Sequence, residues 1–131
     1  MNVNLVMSND TPVIENHQNV LMSELNSLPP RGCKSLILNH VINYLTDEQL
    51  QQILEKIRHG GSVSVTSPDA MEAASALHTG LIDMNLFSTL TSNRLKQYSL
   101  LDAKTFFEQQ GYAVETAVIQ DLSFYIKANR P

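Results

Sequence analysis

From Lys34 to the end of the chain, short apolar runs alternate with amphipathic helical stretches, and Gly or Pro punctuates most junctions. Lys34–Leu38 (KSLIL) follows the break Pro29-Pro30-Arg31-Gly32 and reads as a buried strand. Thr46 and Gln49 frame a capping box, in which the Thr oxygen takes a free N–H and the Gln side chain reaches back. Asp47 and Glu48 suit the positive end of that helix's dipole. Leu50, Ile53, Leu54 and Ile57 fall on one helical face, and Gly60-Gly61 is expected to stop the helix. Ser62–Thr66 (SVSVT) alternates as a strand, and Pro68 opens a helix that ends at Gly80. Ser99 with Asp102 opens another, ending at Gly111. Two strand-like runs, 112–119 and 122–128, have only Gln120 and Asp121 between them and predict an antiparallel hairpin. Strands alternating with helices pair in parallel through right-handed crossovers. The expected class is therefore α/β, with a mostly parallel sheet and a C-terminal antiparallel hairpin.

The N-terminal third is less regular. Asn2–Met7 (NVNLVM) reads as a short strand and Ser8–Pro12 (SNDTP) as a turn. Residues 17–28 contain a strand-like NVLM and then a helical turn, and 81–97 read as a helical or irregular insertion. The first glycine of the chain is Gly32.

A chain of 131 residues is expected to form one domain, 1–131. At that size roughly two-thirds of the unfolded surface is buried, enough for one core. Nine basic against thirteen acidic residues, net charge −4, argue against a nucleic-acid-binding face, which needs clustered Lys and Arg. Cys33 is the only cysteine, so no intrachain disulfide forms, and no Cys/His set has metal-ligand spacing. No basic n-region precedes an apolar run, and no apolar run approaches about 18 residues. No signal peptide or membrane span is expected, and a cytoplasmic location is.

Three motifs resemble a known family. The first is Ile37-Leu38-Asn39-His40-Val41-Ile42-Asn43-Tyr44-Leu45, similar to a strand end running into a His-Val-Leu-Glu-His-Leu-like helix. The second is Ile57-Arg58-His59-Gly60-Gly61-Ser62-Val63-Ser64-Val65, similar to a Leu-Lys-Pro-Gly-Gly turn before a fifth strand, with Ser67-Pro68-Asp69 matching Val-Pro-Asp. The third is the tail from Tyr98-Ser99 through Phe106-Phe107 and Gly111-Tyr112 to Lys127. In this order and spacing they resemble the second half of class I S-adenosylmethionine-dependent methyltransferases, and cover about two-thirds of the chain. The resemblance implies a three-layer Rossmann-like sheet ending in sixth and seventh strands. The compressed segment before Lys34 implies that a helix and a strand are missing or reduced in the N-terminal half.

The resemblance also implies where S-adenosylmethionine would bind. Leu5, Ser8, Asn9 and Asp10 occupy the place of the glycine-rich loop, with Val6 and Ser8 where glycines belong. Leu21 stands where an acidic residue would take the ribose hydroxyls, Glu24 is a shifted substitute, and Asn39 is placed to contact the cofactor. A non-Gly residue in a Gly-only conformation costs about 1–3 kcal/mol. A lost charge-assisted hydrogen bond costs roughly 1.5–3 kcal/mol more. With each 1.4 kcal/mol worth about tenfold, a micromolar site becomes roughly millimolar or worse. S-adenosylmethionine affinity is therefore expected to be weak or lost, although Asn9 and Asp10 soften the penalty because Asn and Asp tolerate left-handed backbone.

His40 is the candidate catalytic residue, since it follows a strand at the sheet's carboxyl edge, where open α/β folds bind ligands. The alternative is a His that fills a polar pocket or caps a helix. Tyr44 reads as a core or rim aromatic, Cys33 as a buried thiol, and His17, His59 and His78 as surface residues. Three functions compete. The favoured one is a methyltransferase-like binding or regulatory module that has lost most cofactor affinity. The alternative is a small active methyltransferase acting on a small molecule or sugar. The third is an α/β protein that binds an unrelated small-molecule ligand at the same edge. A truncated sheet exposes an edge or an apolar face, which implies a homodimer.

Overall fold

The computed structural model describes residues 1–131. Its elements are β1 (Asn2–Val6), β2 (Gln18–Leu21), β3 (Cys33–Asn39), α1 (Asp47–Glu55), β4 (Ile57–Pro68), α2 (Ala70–His78), α3 (Met84–Thr91), α4 (Leu100–Gln109), β5 (Ala113–Gln120) and β6 (Ser123–Asn129). They build one six-stranded sheet in the order β2-β1-β3-β4-β6-β5. The β2-β1, β1-β3 and β3-β4 pairs are parallel, while β4-β6 and β6-β5 are antiparallel. The expected α/β class and its terminal hairpin are both present.

Period-2 alternation splits the sheet into two unlike faces. Val3, Leu36, Val63 and Ala128 stand side by side in one row, and Leu5, Leu38, Val65 and Ile126 in the next. All eight are buried, under Leu50, Ile53 and Leu54 of α1 and Ala103 and Phe107 of α4, within a core of 24 buried residues. The opposite face carries Ser35, Ser62 and Asn129, then Ile37, Ser64 and Lys127, then Thr66 and Tyr125, and all of these are half-exposed.

The reduction expected in the N-terminal half falls on this second face. Residues 7–17 join the parallel neighbours β1 and β2 without a helix, and β2 reaches β3 through one 3-10 turn, Met22–Ser27. In place of a helix the loop folds back on the sheet. Its His17 Nε2 lies 3.1 Å from Ser35 Oγ, and the Thr11 carbonyl accepts from Asn19 Nδ2 at 2.8 Å. His17 is thus a half-buried clasp and not a plain surface residue. Apart from half-buried Ile37 and exposed Val118 beside Tyr125, the rest of the face is Ser, Thr, Asn, Tyr and Lys, side chains that water solvates without a third layer.

Two local expectations need correction. Helix α1 ends at Glu55, and Gly60-Gly61 lies inside β4. A Cβ on Gly61 would sit 2.9 Å from the Lys34 carbonyl oxygen, and Gly60 has φ +79°. The glycines serve a register slip of β4 against β3 between Cys33 and Ser35. Ile57 is therefore the first residue of β4 and not the last of the helix face. In the hairpin, Gln120 pairs with Ser123, so the turn is Asp121-Leu122, with Asp121 in the left-handed region at φ 57°. The stretch 81–97 resolves into α3, capped by Asp83, and an irregular return with Asn93 at φ 59°.

Candidate functional site

The strand order reverses direction between β1 and β3, and a cavity of about 310 Å³ opens at the carboxyl ends of these two strands. Such a switch point is where open α/β sheets leave room for a ligand. β1 contributes Asn4 and Val6, the loop after it Met7, Ser8 and Thr11, and the end of β3 Asn39, His40 and Val41; Tyr44 closes the side.

The loop after β1 is turned in on itself. Ser8 Oγ accepts from the Asp10 N–H at 3.2 Å, and the Ser8 carbonyl accepts from the Thr11 N–H at 3.3 Å and the Thr11 hydroxyl at 2.9 Å. Between Met7 and Glu15 no residue has positive φ; the first is Asn16, at 62°.

His40 has φ 56°, and its N–H donates to the Thr66 carbonyl at 2.8 Å, which fixes its backbone against β4. Desolvation of the ring, and secondarily the charge of Arg94, hold its pKa below the ordinary imidazole value. The ring is therefore neutral near pH 7, and can donate from one nitrogen and accept at the other. Arg94 lies over the Tyr44 ring, 5.7 Å from its centroid. Asn43 brings it there. Its Nδ2 donates to the Lys96 carbonyl at 3.0 Å, its own carbonyl accepts from the Lys96 N–H at 3.0 Å, and its Oδ1 accepts from Ser67 at 2.9 Å.

A second buried chain runs through β1. Asn19 Nδ2 donates to the Thr11 carbonyl, and Asn4 Nδ2 donates to Asn19 Oδ1 at 3.1 Å. A carbonyl can only accept, so the Thr11 end fixes both amides and leaves Asn4 Oδ1 as a bare acceptor. Asn4 is 1% exposed, and that oxygen has no partner.

Ser8, Asn39 and His40 line one cavity. Asn9 and Asp10 lie in the adjoining turn, exposed. Leu21 ends β2, paired with Val6, and is half-buried; Glu24 is exposed in the 3-10 turn that follows. Leu5 is fully buried on the opposite face of the sheet, so its side chain serves the core and not the cavity. Asn4 and Arg94 were not legible as site residues. The signal for Asn4 was a polar side chain in the middle of a short apolar strand. Arg94 carried none.

No protein-family model matches the sequence, and no curated protein matches it. Solved structures do match in fold. A methyltransferase from Methanosarcina mazei superposes with a TM-score of 0.64 at 8% identity, over 98% of this chain and 81% of its own. One from Archaeoglobus fulgidus gives 0.63 at 12%, over 98% and 75%. The fold is methyltransferase-like. A DUF574 family protein from Streptomyces avermitilis gives 0.57 at 13%, and there this chain covers 88% of itself but spans 55% of the larger protein's length.

Proposed function

We propose that this chain is a methyltransferase-like protein whose S-adenosylmethionine site is degenerate, and that it acts as a non-catalytic binding or regulatory module. The self-closed loop after β1 carries the reading. Its Asp10 and Thr11 N–H groups are spent on Ser8, where a nucleotide loop would aim backbone N–H groups at its ligand. Three further features agree. No left-handed residue opens the turn before Asn16. Leu21 offers no carboxylate at the end of β2. The cavity of about 310 Å³ is at the small end of ligand pockets, which run about 300–1,000 Å³. These residues do not fit the cofactor.

One observation favours the second reading, a small active methyltransferase on a small molecule or sugar. His40 is a neutral imidazole beside Asn39 at the sheet's carboxyl edge, where it could serve a weak nucleophile as base. Calorimetric titration with S-adenosylmethionine and S-adenosylhomocysteine separates the two. The first reading expects no heat up to millimolar ligand; binding at micromolar strength would establish the second and overturn the first.

The homodimer belongs to the same proposal, at a different surface. The uncovered sheet face is polar, whereas α3 has no buried residue at all and exposes Met84 and Leu86, next to exposed Leu81. Leu86, two positions after Met84, faces the other way, so exposed Leu81 and Met84 at the start of the helix mark the interaction surface.

A further inference from the structure

Two buried side-chain polar atoms of this chain have no hydrogen-bond partner, Asn4 Oδ1 and Arg94 Nε. Asn4 lines the cavity between β1 and β3, and Arg94 does not. On β1, Asn4 stands between Asn19 of β2 and Ile37 of β3. Its Nδ2 is turned to Asn19, so Oδ1 lies on the β3 side, the side of the cavity. The relay from the Thr11 carbonyl through Asn19 forbids the flipped amide. A buried acceptor without a donor carries a desolvation penalty, so Asn4 marks a place where a ligand completes the bonding.

The lining restricts what that ligand is. No Asp, Glu, Lys or Arg lines the cavity, and its imidazole, His40, is held neutral near pH 7. A carboxylate, phosphate or ammonium taken in there would shed water with no opposite charge to meet it. The Ser8 and Asn9 N–H groups donate to no atom of the chain. They add donors but no charge, and with no left-handed residue between Met7 and Glu15 they lack the alternating backbone of an anion nest. Ser8, Asn39, His40 and Tyr44 bring groups that both donate and accept. A ligand hydroxyl does the same from one oxygen, and is neutral. Val6, Val41 and Tyr44 supply apolar wall for its carbon frame, and a space of about 310 Å³ suits a single ring.

We propose that the cavity between β1 and β3 binds a neutral, polyhydroxylated molecule of single-ring size, one of whose hydroxyls donates to Asn4 Oδ1. This names the ligand of the binding module, and rests on the reading that the site has stopped serving S-adenosylmethionine.

D-ribose, D-glucose and myo-inositol are the probes. Tetrahydropyran, a ring with no hydroxyl, and D-glucuronate, hydroxylated but anionic, are the controls. The readout is ¹⁵N NMR of the Asn4 side-chain amide and the Ser8 N–H in the whole chain. At least one probe is expected to shift the Asn4 amide and to bind about 10- to 100-fold more tightly than tetrahydropyran, and more tightly than glucuronate. Asn4→Leu removes the unmatched acceptor and is expected to bring that probe down to the level of tetrahydropyran. The Asn4 signal of the parent decides the matter even if that variant does not fold. Silence of that signal towards all three probes up to about 50 mM, where a millimolar site would saturate, overturns the proposal. Tetrahydropyran or glucuronate binding as tightly as the best probe overturns it as well. Micromolar S-adenosylmethionine shifting the same signals would instead sink the reading beneath it, whereas silence towards every ligand, S-adenosylmethionine included, sinks this inference alone.

Discussion

Asn43 and Lys96 are joined reciprocally: the Asn43 side chain donates to the Lys96 carbonyl, and the Lys96 N–H donates to the Asn43 carbonyl, each at 3.0 Å. The pair ties the return from α3 to the turn after β3. It thereby sets Arg94 over Tyr44, a residue that lines the cavity between β1 and β3.

Asn43→Ala is therefore expected to act at two levels. The Lys96 carbonyl loses its side-chain donor, at a cost of about 1–3 kcal/mol, visible as a lower urea midpoint with an unchanged slope. Ser67 keeps a bond to the Pro68 carbonyl at 3.0 Å, so it adds little. The same variant keeps the backbone bond from the Lys96 N–H to the carbonyl of residue 43 but loosens the return that carries Arg94, so the His40 pKa should move a small part of the way back towards its ordinary value; burial of the ring, the larger cause, remains. An unchanged His40 titration in Asn43→Ala would show that the side-chain half of the clasp does not position Arg94.

Much of the fold was readable because its signals are local. The Thr46–Gln49 capping box is present in both directions, at 3.1 and 2.9 Å. The hairpin follows from the bare separation of two apolar runs, and the sheet-edge positions of Ser8, Asn39 and His40 follow from where strands end. Gly60-Gly61 misled because the pair's purpose lies in another strand: the constraint on Gly61 is the carbonyl of Lys34. Arg94 was invisible for the same reason, since a buried Asn43 holds it in place. The thin third layer showed in the sequence only as compression before Lys34. That the uncovered face would be Ser, Thr, Asn and Lys needed the register.

His40 makes a pH-dependent contribution whose sign is fixed by its lowered pKa. Below about pH 6.5 the unfolded chain protonates this ring, while the folded chain resists until the lower folded value. The unfolded state then binds more protons, so stability falls as pH drops from about 7 through the folded pKa. His40→Asn, which keeps a residue tolerant of φ 56°, is expected to flatten this part of the melting-temperature profile. His40→Val is expected to lower stability at all pH values by about 1–2 kcal/mol, because a β-branched residue is strained in that backbone. A profile for His40→Asn that parallels the parent between pH 5 and 7 would refute the assignment.

The α3 surface yields the last prediction. Leu81 is 78% exposed and Met84 60%, and α3 buries no side chain against the rest of the chain. A helix held only by its Asp83 cap and a few half-buried contacts is marginal, since short helices draw their stability from packing. A second copy packed on Leu81 and Met84, at the start of the helix, would supply that packing. Light scattering at tens of micromolar is expected to give twice the monomer mass, and Met84→Lys combined with Leu86→Glu to return it to the monomer. The same double variant should leave the unfolding free energy of the dilute protein within about 0.5 kcal/mol of the parent, since both positions are exposed. A monomeric parent at that concentration would refute the dimer, and would leave the cavity between β1 and β3 to account for whatever this chain binds.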